Sequence, residues 1–354
     1  MDPETGNSPL PVDLIRTAAI VLVILLHASA ESYSGVSLMS PQGVQIWWAS
    51  NVYDSLARVC VPLFVMLSGA LLLQPNKADE PLKVFFKKRL NRIGIPFLFW
   101  GAVYFVWQFY ANGKPLTANF IVQGVLTGPD YQFWFLYLLL GLYIVTPVLR
   151  VLIKHADWKI LRYLIAVWFV GTAITPLMTL FGSYNLNANV FIFTGWLGYF
   201  VLGAYLVRVH LKPSFLTLVW MLGLLWTIFG TYLVIATLGE RFSQFFLNSI
   251  SFNVIFASAA LFLLLAAIPP IRIENRFPKG NRVLKLISEN TLPIFLFHVI
   301  VLDVLQRGYI GLTISITKMN PIVEIPLITA VTLLICLAVI VPLKRIPYVK
   351  RIIG

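Results

Sequence analysis

The stretch Asp13-Leu14-Ile15-Arg16-Thr17-Ala18-Ala19-Ile20-Val21-Leu22-Val23-Ile24-Leu25-Leu26-His27 decides what kind of molecule this is. Ten uncharged residues, Thr17 to Leu26, separate an arginine from a histidine. A run of this kind is an apolar helix with an ionisable group near each end. At about 100° per residue, eleven steps return to within about 20° of the starting azimuth. Arg16 and His27 therefore share one helix face, about 16 Å apart along the axis. Asp13 lies one turn before Arg16 and can pair with it. A basic group at a membrane surface and a histidine deep in the same stripe point to a site that runs into the bilayer.

The rest of the composition agrees. Of 354 residues, 59% are hydrophobic and 12% charged, against about 25% charged in soluble domains. Mean hydropathy is +0.84. The fold class is all-α, a polytopic membrane helix bundle. The first apolar stretch has no small-residue cleavage site and is read as a retained span. Spans of about 20 residues are expected at 12–31, 50–73, 93–111, 132–150, 160–181, 190–207, 214–237, 251–268, 286–307 and 322–343. Net charge is +13, which in a soluble protein would suggest nucleic acid. Here the basic residues sort by side. Lys83, Lys87, Arg89, Arg150, Lys154, Arg208, Arg282 and Lys344 fall in loops on the side of the N-terminus. Little beyond Lys114, Arg241, Arg307 and Lys318 falls on the other. The positive-inside rule then makes both termini cytoplasmic in a multi-pass protein of the cell membrane, with lipid and not nucleic acid as its surroundings. Cys60 and Cys336 lie in apolar spans, so neither a disulfide framework nor a metal site is expected. Residues 1–354 read as one integral membrane domain with a polar tail at 1–11, no internal repeat and no linker to a soluble domain.

Several local features carry expectations. Glu31 to Gln45 reads as an outer loop, followed by Trp47 and Trp48 in an aromatic belt. Asp54 and Arg58 are four apart and share a face. Pro62 can kink the second span, and Ser68-Gly69 permits close helix approach. The segment 74–92 is basic and amphipathic, with Phe85 and Phe86 toward the interface. Arg89 and Arg92, three apart, make a two-pronged clamp whose forks suit phosphate. A surface helix is expected near 117–126. Gly195, Gly198 and Gly203 predict tight packing. The ninth span carries Pro293, His298 and Asp303. An intramembrane histidine is a functional candidate by default. His155 and His210 read as surface residues.

No nucleophile elbow, phosphate-binding loop or metal cluster is present. What remains is a basic mouth leading to a histidine. A phosphorylated cofactor with a long thin arm suits that shape, and coenzyme A thioesters have it. His27 is the best general base, since an uncharged imidazole in an apolar bundle can take a proton. Asp54 or another carboxylate can orient it. A covalent acyl-imidazole is the mechanistic alternative.

The chain resembles the acyltransferase-3 family of integral membrane acyltransferases, which O-acylate surface polysaccharides and other extracytoplasmic acceptors. The resemblance rests on Asp13-Leu14-Ile15-Arg16 with ten residues to His27; on Arg58, Val61-Pro62-Leu63-Phe64 and Ser68-Gly69; on Arg89-Leu90-Asn91-Arg92 with Pro96; on Phe133-Trp134-Phe135-Leu136; on Tyr199-Phe200-Val201-Leu202-Gly203; and on Ser288 with Pro293-Ile294-Phe295-Leu296-Phe297-His298. In the ninth span Thr291-Leu292 replace an aromatic pair usual in the family. The resemblance implies acyl-CoA, by analogy acetyl-CoA, as donor, and a hydroxyl of a cell-surface or lipid-linked glycan as acceptor. Arg16, Arg89 and Arg92 would bind the donor; Asp13, Asp54, Arg58 and His298 would support the site or face the acceptor. A multi-span transporter or polysaccharide exporter is the competing reading. Against it, the sequence has no matched broken helices in its two halves.

Overall fold

A computed structural model describes residues 10–30, 41–182, 195–315 and 318–354. Among these, all regular structure is helical. In chain order the helices are α1 (Val12–Ala30), α2 (Pro41–Ala57), α3 (Cys60–Leu72), α4 (Leu82–Arg89), α5 (Ile95–Asn112), α6 (Ala118–Thr127), α7 (Trp134–His155), α8 (Trp158–Phe169), α9 (Thr175–Gly182) and α10 (Trp196–Leu206). There follow α11 (Pro213–Leu238), α12 (Phe252–Ala266), α13 (Pro270–Arg276), α14 (Pro278–Glu289), α15 (Thr291–Arg307), α16 (Pro321–Leu343) and α17 (Pro347–Ile353). Seven helical runs are long and apolar enough to cross a membrane, or nine if each of two bent pairs is one span, among the described residues. The expected span at 190–207 begins outside the described residues, and its described part is the short α10. Most of the polar tail and of the loop from Glu31 also lies outside them.

Prolines set the irregularities. A proline has no N–H for the carbonyl four residues earlier, and its ring crowds that carbonyl. Pro62 does this to Arg58, and the ladder breaks at Arg58–Val59, between α2 and α3. Pro293 does it to Glu289. There the expected single span 286–307 is instead two helices, α14 and α15, bent by 78°. Pro96 and Pro176 are each preceded by a π-helical turn, Leu90–Gly94 and Val170–Ile174, which re-registers the ladder. The basic segment before the third span is thus not a separate loop. It is helical from Leu82 and runs into α5 through the first π turn. The α12 and α13 pair is bent by 62°, at Pro269-Pro270.

The chain divides into two compact units. The first comprises residues 1–26, 51–75 and 150–289. Its tightest packing joins α3 to α10 through two reciprocal glycines. A Cβ on Gly69 would stand 1.8 Å from the Phe200 carbonyl oxygen, and one on Gly203 2.0 Å from that of Met66. These are the small residues and the glycine-aromatic run expected to pack closely. Trp168 of α8 lies against Gly198 and donates to the Gly195 carbonyl at 2.6 Å. Asn51 donates to the Ile228 carbonyl of α11 at 3.0 Å. Arg150, expected in an inner loop, is 2% exposed within α7, and its Nε donates to the Leu72 carbonyl at 2.7 Å. Leu72 ends α3, where the last carbonyls lack helical donors.

The second unit comprises residues 27–50, 76–149 and 290–354. In it α15 packs on α16 and α5, and α17 on α5. Trp100 of α5 donates to the Ile353 carbonyl at 3.2 Å. The surface helix is present as α6, capped by the Thr117 hydroxyl. The run Phe133-Trp134-Phe135-Leu136 splits by face. Phe133, Phe135 and Leu136 are buried, against Tyr104 and Phe295 among others, while Trp134 is exposed.

Candidate active site

His27 lies in the last turn of α1 and is half-buried. Its ring centroid is 5.2 Å from that of His298 on α15 and 5.0 Å from that of Tyr131. Two histidines separated by most of the chain thus meet. His298 is fully buried. Its Nδ1 lies 2.7 Å from the Phe295 carbonyl oxygen. A carbonyl only accepts, so Nδ1 carries the hydrogen, and in the neutral ring Nε2 keeps its lone pair. Nε2 has no hydrogen-bond partner among the described residues. Tyr131 is 56% exposed.

A short 3-10 turn, Tyr131–Phe133, holds Tyr131 in place. Asp130 caps it, accepting from the Tyr131 amide at 2.7 Å and from Gln108 Nε2 at 2.9 Å. Burial raises the Asp130 carboxyl above the ordinary aspartate value, opposed by these two donors. Gln108 in turn accepts from Asn112 at 2.9 Å, and Asn112 accepts from Arg307 at 2.8 Å. Arg307 is paired with Asp303, which also accepts from Trp107 Nε1 at 3.0 Å. The Asp303 expected in the intramembrane set is therefore part of this polar network.

The other expected residues fall as follows. Asp13 and Arg16 are half-buried in the first unit, and Asp13 accepts from the Ser288 hydroxyl at 2.6 Å. Thr17 donates to the Leu284 carbonyl at 3.0 Å, so α14 is tied to the first turns of α1. Asp54, 1% exposed, is bound by Arg58 at 2.5 Å. In the second unit Arg89 ends α4, with its guanidinium over the rings of Phe85 and Tyr143. Arg92 is exposed within the π turn. His155 and His210 are exposed, as expected.

Sequence reasoning passed over Gln132 and Glu324, both fully buried. Glu324 had a readable signal, an acid inside an apolar span. Gln132 had none, since a glutamine beside Tyr131 looks like an interfacial residue. A cavity of about 530 Å³ in the first unit, lined by Ala70, Leu73, Trp158, Arg208 and Leu216 among others, contains none of the expected site residues.

Two histidines in apolar surroundings, one with a fixed lone pair, can accept a proton and leave it near a reacting hydroxyl. A family model described as an acyltransferase domain, of the acyltransferase-3 type, matches residues 11–341. No curated protein and no solved structure matches the chain.

Proposed function

The chain belongs to the acyltransferase-3 family and is a multi-pass membrane acyltransferase, and from that premise we propose the reaction. An acyl group, acetyl by analogy with the family, passes from cytosolic acyl-CoA to a hydroxyl of a cell-surface or lipid-linked glycan beyond the membrane. Both termini face the cytoplasm. Arg16, Arg89 and Arg92 are the proposed holders of the donor phosphates. Asp13 and the Asp54–Arg58 pair support the helices that carry the chemistry.

The observation that carries this reading is the meeting of His27 with His298. The acceptor hydroxyl gives its proton to His27 as its oxygen bonds to the thioester carbon. The C–S bond then breaks, and the CoA thiolate takes the proton back from the imidazolium. His298, with Nε2 as an acceptor, helps orient the hydroxyl.

The test is acetyl-CoA consumption at saturating donor by membranes carrying the full chain. General-base catalysis contributes about 10²–10⁴-fold. His27→Asn keeps a polar group but cannot take the proton, so the rate should fall at least about 100-fold with CoA binding retained. A variant that keeps more than about a tenth of the rate is incompatible with His27 as base.

A further inference from the structure

We propose that Gln132 is a further catalytic residue, whose side-chain amide donates to the acyl carbonyl oxygen of the thioester as negative charge develops there. This rests on the acyl-transfer reading above.

Gln132 is completely buried, and neither its Oε1 nor its Nε2 has a hydrogen-bond partner among the described residues. Native proteins seldom bury a primary amide this way, because unpaired polar groups forfeit their hydration. The location of this one is specific. It is the middle residue of the turn Tyr131–Phe133. On one side Tyr131 lies against the His27 ring. On the other Phe133 packs edge-on to Tyr104, whose hydroxyl donates at 2.8 Å to the Leu296 carbonyl, two residues before His298. The turn therefore sits between the two helix segments that carry the histidines. The Asp130 cap and its Gln108 bond fix the turn from outside.

Acyl transfer makes two opposite demands. The hydroxyl proton needs an acceptor, and the carbonyl oxygen needs a donor as the tetrahedral intermediate forms. The histidines meet the first. His298 cannot meet the second, since its one N–H is given to Phe295. A glutamine amide offers two N–H donors and holds no proton that can be lost. The turn also leads directly into α7, a 22-residue helix whose N-terminal end favours negative charge. In the proposed step the C=O π electrons move to oxygen, the acceptor oxygen bonds to carbon, and Gln132 Nε2–H donates to the oxyanion. Reforming C=O then expels the CoA thiolate, and Gln132 ends unchanged.

The experiment compares wild type, Gln132→Met, Gln132→Glu and His27→Asn as full chains in membranes of the producing cell. The probe is acetyl-CoA labelled in the acetyl group, with label counted in the membrane glycan fraction. Methionine is close in length and volume and removes both polar atoms. Its kcat should fall by about 10²–10³-fold, the usual cost of one oxyanion donor, with KM for acetyl-CoA within about threefold. Thermal stability should be unchanged or higher, since the unpaired amide is gone. Gln132→Glu keeps the shape without the neutral amide donor, and its kcat should fall similarly. It also serves if the methionine variant fails to accumulate. A purely structural residue would give the reverse, a lower unfolding temperature and an intact kcat per folded molecule. If wild type transfers label and His27→Asn does not, yet either Gln132 variant keeps more than about a tenth of kcat, the proposal for Gln132 is overturned and the acyltransfer reading stands. If wild type transfers no label, both fall together.

Discussion

The contact between α3 and α10 gives a sharp test of the fold. Gly69→Ala adds one methyl group. That carbon would lie 1.8 Å from the Phe200 carbonyl oxygen, about 1.6 Å short of the 3.4 Å at which ordinary contact begins. The obstacle is backbone on a packed helix, so no side chain can swing aside. The helices must part or tilt. A gap of 0.5–1 Å already forfeits about a quarter to a half of each dispersion well, about 0.1–0.2 kcal/mol per atom pair. Over some tens of atom pairs the cost is about 2–4 kcal/mol, at the upper end of overpacking penalties. Gly203→Ala meets the Met66 carbonyl oxygen at 2.0 Å and should cost about the same. The two act on one helix pair, so the double variant should cost clearly less than the sum. The controls are Gly101→Ala in α5 and Gly141→Ala in α7, where nothing lies within 4 Å of an added Cβ. There alanine should be neutral or stabilising by about 0.5–1 kcal/mol. The assay is thermal unfolding of the purified chain in detergent, where the clashing variants should melt on the order of 5–10 °C lower. An unchanged midpoint for Gly69→Ala would refute the close approach. A double variant costing the full sum would mean that the glycines serve separate contacts.

Other outcomes follow from the same geometry. Replacing Arg16, Arg89 or Arg92 singly by Ala should weaken acetyl-CoA binding by about 10- to 150-fold, given about 1.5–3 kcal/mol per charge-assisted contact. Lysine should rescue only in part for want of the planar fork, and titration calorimetry reads the difference; intact affinity in the triple variant would reduce these arginines to topology anchors. Arg58→Met should destabilise by about 3–5 kcal/mol, because it strands the buried Asp54 carboxylate. The joint Asp54→Asn, Arg58→Met variant should recover much of that loss in the same melting assay. Cysteines placed at Asn119 and Thr313 should react with an impermeant thiol reagent from outside intact cells, against a low background from the buried Cys60 and Cys336. Reaction only after the membrane is opened would invert the proposed topology.

The helical class was fully legible, because long apolar runs with few charges can be satisfied in a membrane only by helices of this kind. Close packing at Gly69 and at Gly203 was legible too, since both are small in apolar helices, but that these two glycines face each other across α3 and α10 was not. The bend ahead of Pro293 was only half legible. Proline removes a hydrogen bond at a known position, but whether the helix kinks, re-registers through a π turn or bends by 78° depends on what packs around it. Pro62, Pro96 and Pro293 give three different answers. In the site, His27 and His298 stood out as intramembrane histidines. The identity of their neighbours did not. Asp13 can pair with Arg16, one turn away on the same helix, and it also accepts a hydrogen bond from Ser288, 275 residues on. Spacing along one helix reveals such local options and is blind to partners brought in by the fold. The burial of Gln132 with no hydrogen-bond partner among the described residues is invisible for the same reason, since it is a property of the folded chain.

The hydrogen bonds from Arg307 through Asn112, Gln108 and Asp130 to the Tyr131 amide have an implication for how this protein tolerates change. Each member restricts the rotamers of the next, so the orientation of the ring beside His27 is specified in part by an arginine that is 44% exposed. Distance from the histidines is then a poor guide to which positions can drift. A surface change at Arg307 or Asn112 would leave the core intact and still blur the placement of Tyr131. The sequence freedom of this unit is set by who holds whom, and it runs out along a thread of four polar contacts that ends at Tyr131, beside His27.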